Sequence, residues 1–322
     1  LPLLADRLSL LDPGEPFLAR AQGVRRQLTV RMMMRLDELD SVLTTLDHVG
    51  VDGVVLKGPA LALTVYDHVG QRLSTDLDVL VRPSEFERVR SALEAEGWAQ
   101  REPDRPGKHS SDLERGDHVL DLHHQPNLEM VVPGRLEDTL SFLQTEPASR
   151  PLRSGRLVTV LSPTDSLLHT VVHGTQWFQS TNARWVVDAD RLRCTGRIDW
   201  GRLVSLATLF RVAPVVSDAL DLLGRVTGEP APAGVREELD RVHVSLADRV
   251  WLSAFRCAPT YSTQTPGMPA RLNDLLVYHR HLTATGLVKA APDTLVSGWG
   301  LQSRWQLPGA ALRRVGRVRL RP

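Results

Sequence analysis

The stretch Asp76-Leu77-Asp78-Val79-Leu80-Val81 alternates acidic and apolar side chains, which predicts a β-strand. Successive side chains of a strand point to opposite faces, so both carboxylates project from one face while Leu77, Val79 and Val81 face a core. At roughly 6–7 Å apart along the strand, the carboxylates repel each other unless a cation lies between them. Oxygen ligands of this kind suit Mg²⁺, so the stretch predicts a metal site on one face of a sheet.

A third carboxylate is expected from Val119-Leu120-Asp121-Leu122-His123, which alternates like a second strand and places Asp121 on the same face as His123. If the two strands are neighbours, three carboxylates converge. They can then hold two Mg²⁺ ions that bind a triphosphate, and Asp121 can accept the proton of an attacking hydroxyl. The alternative is that Asp121 only pairs with an arginine. A second Asp-x-Asp pair, Asp188 and Asp190, lies in a predicted helix, where the two-residue step separates the carboxylates onto opposite faces.

The tripeptide Lys57-Gly58-Pro59 follows a short β-branched run and predicts a turn from a strand into a helix. Gly58 permits close backbone approach, and the helix N-terminus offers free N–H groups to a phosphate. Lys57 can add a positive charge there. The alternative is an ordinary tight turn. Arg72, four residues before Asp76, is expected either to bind a phosphate or to pair with Asp76.

The order of predicted elements indicates an α+β fold. Residues 16–49 have a helical pattern, strands and helices alternate between about 51 and 160, and the pattern is helical again from Ser162. We therefore expect a small mixed-sheet domain at 51–161 between an N-terminal helical segment, 1–50, and a C-terminal helical domain, 162–322. The smaller elements expected are strands at 108–114 and 118–123, joined by a hairpin turn, and helices near 183–194, 199–226, 234–256 and 271–284.

Composition excludes several classes of protein. The 322 residues have a formal net charge of +1, which argues against a protein that coats nucleic acid. Cys194 and Cys257 are too few for a disulfide scaffold or a cysteine-rich zinc site. The longest apolar runs are shorter than the ~18 residues that a membrane span needs, and the apolar start lacks a basic n-region, so we expect a cytoplasmic protein with no membrane partner.

Taken together and in order, these motifs resemble the uncharacterised bacterial nucleotidyltransferase family of the polymerase-beta-like superfamily. The resemblance covers about residues 45–205. The segments that carry it are Leu56-Lys57-Gly58-Pro59-Ala60, Tyr66, Arg72, Asp76–Val81, Leu120–His123, Leu168-His169 with His173, Arg184-Trp185 with Asp188, and Asp199-Trp200.

The resemblance implies a short mixed sheet carrying three metal-binding acids, and the transfer of a nucleoside monophosphate from NTP to an acceptor with release of pyrophosphate. Asp76 and Asp78 correspond to the metal-bridging pair and Asp121 to the third acid, with two Mg²⁺ ions expected when NTP is bound. Lys57-Gly58 stands where most of the superfamily has Gly-Ser, and it is followed by a longer gap to Asp76. Lys57, Gly58 and Arg72 are the expected nucleotide-binding residues.

Four further residues are candidates for the acceptor cleft: His123, His169, His173 and Arg184. His169 and His173 share a helix face, but no third ligand accompanies them, so packing at a domain boundary or lining the cleft is favoured over zinc binding. Arg184 and Asp188 form an expected i,i+4 pair.

Two other functions are left open by the residues. The presence of Lys57-Gly58 where most of the superfamily has Gly-Ser favours a catalytically silent nucleotide- or partner-binding protein on the same scaffold. The six arginines from Ser303 onward favour a protein that modifies RNA. The acceptor, whether a small molecule, a peptide or protein side chain or a tRNA end, is not determined by these motifs, and neither are the NTP base and the oligomeric state.

Overall fold

The computed structural model describes residues 3, 14, 16–101, 109–127, 129–132, 135–175, 184–245, 248–249, 296 and 302–308. The predicted helix at 271–284 and most of the arginine-rich C-terminal segment lie outside these residues.

The first element is a long helix, α1 (Leu18–His48), as the pattern over 16–49 predicts. Its buried residues recur every three or four positions, at Met32, Leu36, Leu39, Leu43 and Leu46, and form one continuous face. Gly50 follows in the left-handed region at φ 66°, a conformation that ends helices and that glycine adopts without strain.

A mixed sheet of seven strands forms the centre of the fold, in the order β3-β4-β5-β2-β1-β7-β6. Neighbours pair antiparallel except for β2 with β5 and β1 with β7, which are parallel. The strands are β1 (Val54–Val55), β2 (Leu77–Leu80), β3 (Ala99–Gln100), β4 (Ser110–Arg115), β5 (His118–His123), β6 (Thr145–Pro147) and β7 (Thr159–Leu161).

Two helices cover the sheet's connections. Helix α2 (Lys57–Thr64) begins two residues after the end of β1 and includes the predicted turn residues Lys57, Gly58 and Pro59, and α3 (Phe86–Ala95) follows β2. The buried residues of α1 and α3 form one hydrophobic cluster with Leu77, Val79 and Val81. The expectation that these three side chains face a core is therefore confirmed, and the opposite face of β2 carries Asp78 and Leu80.

Helices make up the described part of the chain after β7: α4 (Pro163–Thr175), α5 (Arg184–Arg193), α6 (Trp200–Leu209), α7 (Ala213–Thr227) and α8 (Val235–Arg241). The α+β fold with helices at both ends is confirmed. None of the described helices combines the length and apolarity that crossing a bilayer requires.

Two helix predictions are wrong in extent. The single helix expected over 199–226 is two helices, because Arg211 adopts φ 56° and the Val212 amide returns to the Ala207 carbonyl at 2.8 Å, a backbone arrangement that closes a helix. The helix expected over 234–256 ends at Arg241, and residues 242–245 are not helical.

The helical part of the chain shares its core with the sheet. One cluster of buried residues includes Leu61 and Tyr66 from the α2 region, Leu80 of β2, and Leu168 and Phe210 from the helices. This apolar contact runs across residue 161. The division into segments 1–50, 51–161 and 162–322 stays a prediction.

The contact between α4 and α5 generates a stability prediction. A Cβ on Gly174 would overlap the Trp185 side chain, so Gly174→Ala is expected to destabilise the protein by about 1–3 kcal/mol. Gly201 in α6 has room for a Cβ, and Gly201→Ala is expected to be neutral or slightly stabilising. Thermal unfolding of both variants measures the difference, and equal melting temperatures would contradict the packing described.

Candidate functional site

The pairing of β2 with β5 places Asp78 directly beside Asp121 in the sheet. The Lys57 ammonium lies 2.6 Å from Asp78 Oδ1 and 3.6 Å from Asp121 Oδ2. His123 Nε2 lies 3.1 Å from the same Asp78 oxygen and 2.9 Å from the same Asp121 oxygen. We call these four side chains the carboxylate cluster; the side chain of Asp78 is 1 % exposed and that of Lys57 17 %.

Local backbone geometry holds Lys57 at this position. The Leu56 amide donates to the Asp78 carbonyl at 2.9 Å, which ties the start of α2 to β2. Lys57 itself has φ 50°, in the left-handed region that non-glycine residues adopt at a cost of roughly 1–2 kcal/mol. Gly58 is packed against Ser74, and any Cβ at position 58 would overlap that side chain. The turn therefore brings the segment before β2 close to the cluster.

Burial and charge shift the ionisation of the cluster in opposite directions. Burial alone would raise the pKa of Asp78, but Lys57 and His123 hold it below its usual value. The pKa of Asp121 is well below its usual value, because His123 and Lys57 outweigh the effect of burial. The same contacts raise the pKa of Lys57 and of His123 against burial, which would lower both. Both carboxylates are therefore held ionised.

The second oxygens of the two carboxylates are the reason to consider a metal. Asp78 Oδ2 and Asp121 Oδ1 are buried and have no hydrogen-bond partner in the described part of the chain. Ligand atoms of Asp78, Asp121 and His123 all lie within 4.8 Å of one another. Buried carboxylate oxygens without partners are costly, and a divalent cation coordinated by them would remove that cost. The residues present fit such an ion.

Asp76 lies beside this group, just before β2, which begins at Leu77 and not at the predicted residue 76. The hydroxyls of Ser74 and Thr75 donate to Asp76 Oδ1, each at 3.2 Å, and such local bonds compete with strand pairing. Burial and the charge of Asp78 raise the pKa of Asp76. The charge of Asp78 in the cluster therefore affects the pKa of Asp76. The role of Asp76 as a metal ligand stays a prediction.

Arg72 is engaged with the helical part of the chain. Its Nε lies 2.7 Å from Asp188 Oδ1 on α5, and the Tyr66 hydroxyl donates to the same oxygen at 2.6 Å. Arg72 Nη1 also donates to the Leu73 carbonyl. These bonds link the loop before Asp76 to α5, and phosphate binding by Arg72 stays a prediction.

Neutral histidines lie near the cluster. Burial lowers the pKa of His169 to about 3, with Lys57 adding to the effect. Its Nε2 is 3.0 Å from the Pro126 carbonyl, and because a carbonyl only accepts, Nε2 carries the proton. His173 stacks on it with ring centroids 6.0 Å apart, and burial puts its pKa well below the usual value. His109, which the sequence did not single out, lies 5.3 Å from the His123 ring.

Arg184 is exposed at the start of α5. Its place in an acceptor cleft, like that of His169 and His173, stays a prediction.

A family profile decides the assignment of the chain. The sequence profile of the uncharacterised nucleotidyltransferase family matches residues 1–228. The chain belongs to this family. The match includes every residue of the carboxylate cluster together with Asp76, Arg72, both α4 histidines and Arg184.

Comparisons with curated sequences and with solved structures add only distant similarities for this nucleotidyltransferase. No curated protein sequence matches it. The solution structure of the antibiotic-resistance factor ANT(2'')-Ia is 15 % identical with a TM-score of 0.42, over 61 % of this chain and 98 % of the other. A nucleotidyltransferase-like protein from Paracoccidioides brasiliensis is 13 % identical with a TM-score of 0.35, over 68 % of this chain and 94 % of the other.

Two features of the nucleotidyltransferase site escape sequence reasoning. The sequence predicts His123 in the acceptor cleft, and the structure shows its ring in contact with both carboxylates. The sequence predicts Lys57 as a nucleotide-binding residue, and the structure shows its ammonium in contact with the acids. The alternation of side chains along β5 predicts that Asp121 and His123 share one face of the strand. This pattern is the sequence signal for the contact between His123 and the acids. The lysine contact depends on a pairing between residues distant in sequence.

The link from Arg72 to Asp188 generates a second prediction. Asp188→Asn is expected to lower the free energy of unfolding by about 3 kcal/mol, because it leaves the Arg72 guanidinium buried without a carboxylate. Asp190 on the same helix pairs with Arg193 and is 36 % exposed, so Asp190→Asn should cost at most about 1 kcal/mol. Urea denaturation compares the two variants, and a similar loss in both would refute the stabilising role of the buried link.

Proposed function

We propose that this nucleotidyltransferase transfers a nucleoside monophosphate from an NTP to a hydroxyl acceptor and releases pyrophosphate. The observation that carries the proposal is the register of β2 and β5, which places Asp78 and Asp121 side by side with buried oxygens that lack partners. Membership of the nucleotidyltransferase family supports the reaction class. A pair of acids on one sheet face, beside a strand-to-helix turn, suits the binding of a metal and a phosphate together.

We propose Mg²⁺ as the metal, held by Asp78 and Asp121 with Asp76 as a further ligand. Mg²⁺ prefers carboxylate oxygens, and with NTP two ions are expected. When bound, it would neutralise the phosphates and stabilise charge on the leaving pyrophosphate. His123 suits hydrogen bonding to the carboxylates, since its Nε2 lies within 3.1 Å of both. A protonated His123 nitrogen would orient the two acids.

In the proposed reaction the acceptor oxygen attacks the α-phosphorus of the NTP. A bond forms between them, the bond from the α-phosphorus to the bridging oxygen breaks, and pyrophosphate leaves with the electron pair. The hydroxyl proton passes to Asp121, whose side chain is 16 % exposed against 1 % for Asp78. Lys57 and His123 lower the pKa of Asp121, which keeps its carboxylate ionised and therefore able to accept a proton.

For the acceptor we propose the region lined by His169 and His173 on α4. Both imidazoles are neutral near pH 7 because burial lowers their pKa values, so they can exchange hydrogen bonds with a hydroxyl without adding charge. His173 Nδ1 has no partner among the described residues. ANT(2'')-Ia has been crystallised with adenylyl-2''-tobramycin, an aminoglycoside product. A small-molecule hydroxyl, a peptide or protein side chain and a tRNA end remain the acceptor classes.

A second function is favoured by one specific contact. The ammonium of Lys57 lies 2.6 Å from Asp78, where it supplies the positive charge that a metal would otherwise supply. A protein in which this contact is permanent would bind nucleotide or a partner without catalysing transfer. Measurement of pyrophosphate release separates the two functions.

Charge neutralisation of the acids tests the main proposal. Asp78→Asn and Asp121→Asn are each expected to reduce pyrophosphate release by roughly a hundredfold or more, because each removes a carboxylate from the metal site. Asp117→Asn is the matched control, since Asp117 is exposed in the turn between β4 and β5. Transfer is followed with α-labelled NTPs, and full activity in Asp78→Asn would rule out the assigned site.

Metal removal is a separate test. Treatment with a chelator is expected to abolish transfer, and addition of Mg²⁺ in excess of the chelator is expected to restore it, because the acids act through the metal. The same assay on Asp117→Asn should show the same metal requirement. Transfer that persists at full rate in the chelator would contradict the metal-dependent reaction.

A further inference from the structure

We propose that Lys57 is a tethered cation that occupies the metal position of the carboxylate cluster in the nucleotide-free protein, and that metal binding displaces it. The inference rests on the proposed metal site and adds regulation to it. Under this proposal the role of Lys57 is to control when the metal ion can enter the cluster, and not only to bind nucleotide.

The distances show that the ammonium lies against both carboxylates that would hold a metal ion. Lys57 Nζ lies 2.6 Å from Asp78 Oδ1 and 3.6 Å from Asp121 Oδ2. It also lies 3.4 Å from His123 Nε2, which contacts those same two oxygens. Because Mg²⁺ binds its oxygen ligands at about 2.0–2.1 Å, an ion held by both carboxylates would lie within a few ångströms of the ammonium.

Charge favours the exchange of one cation for the other. Asp78 is 1 % exposed, and an ionised carboxylate at that depth requires a positive partner. Either cation satisfies this need, but two positive charges within a few ångströms repel each other strongly in a protein interior. The binding of the metal therefore weakens the contact of the lysine with the acids, and the lysine weakens the binding of the metal.

The construction of the turn allows the side chain to leave without moving the backbone. The Leu56–Asp78 hydrogen bond and the contact of Gly58 with Ser74 hold the base of the lysine in place. The side chain beyond it is a flexible four-carbon stem, and it is 17 % exposed, so a route outward exists. The phosphates of an incoming nucleotide offer the released ammonium new anionic partners, so nucleotide and metal should bind cooperatively.

Lys57→Met tests the competition without any turnover. Any unbranched L side chain at φ 50° meets the same backbone strain, so the variant removes the charge and keeps the conformation. We expect nucleotide-free Lys57→Met to bind Mn²⁺, measured by calorimetry, about tenfold more tightly than the parent protein, because a competing charge has gone. Lys57→Arg retains a cation and should bind Mn²⁺ as weakly as the parent. Equal affinities for all three proteins would overturn the inference.

A measurement on the parent protein covers the case in which Lys57→Met does not fold. The sequence contains three lysines, Lys57, Lys108 and Lys289, so acetylation of each can be followed by mass spectrometry. We expect Mn²⁺ alone to accelerate acetylation of Lys57 several-fold, relative to the other two lysines as internal references. Unchanged labelling of Lys57 over the range of Mn²⁺ concentrations would overturn the displacement and favour a permanent ion pair.

These readouts are separable from the proposed function. If the parent protein transfers nucleotide but Mn²⁺ neither binds more tightly to Lys57→Met nor changes Lys57 labelling, the inference fails and the function stands. If Mn²⁺ displaces Lys57 but no NTP yields pyrophosphate with any acceptor class, the competition stands and the transferase function fails.

Discussion

The repulsion between two adjacent carboxylates is the constraint on which this structure depends. Parallel pairing of β2 with β5 sets Asp78 beside Asp121, and burial removes the water that would otherwise solvate them. Two ionised groups in that position are tolerable only with positive charge between them. Lys57 and His123 supply it in the structure described, and a divalent cation would supply it during the proposed reaction.

The turn between β1 and α2 is arranged around that requirement. A lysine at φ 50° is an unusual choice, since glycine would adopt this conformation without strain. The strain of roughly 1–2 kcal/mol is offset by the contact of Lys57 with a nearly inaccessible carboxylate. Gly58, by contrast, is explained by its contact with Ser74, which leaves no space for a side chain. In this turn Lys57 interacts with the acids, and Gly58, which has no side chain, allows the close packing against Ser74.

The helical half of the chain contributes to the site through two contacts. Asp188 on α5 accepts hydrogen bonds from Arg72 and Tyr66, and this links the segment that leads into β2 to the helices. Helix α4 carries His169 and His173, whose ionisation responds to Lys57. A shared hydrophobic cluster supports both contacts. Sheet and helices together, and not the sheet alone, define the surroundings of the acids.

Patterns local in the chain determined the strands that carry the acids, the core-facing side of β2, the shared face of Asp121 and His123, and the family resemblance. These features follow from a two-residue period or from motif order, which the sequence states directly. The tertiary structure alone decided the partners: Lys57 with Asp78 across 21 residues, His123 with Asp78 across 45, and Arg72 with Asp188 across 116. Such pairs depend on strand register and on the folding of loops against helices. A charged side chain in the sequence has many possible partners of opposite sign, and only the packed chain selects one of them.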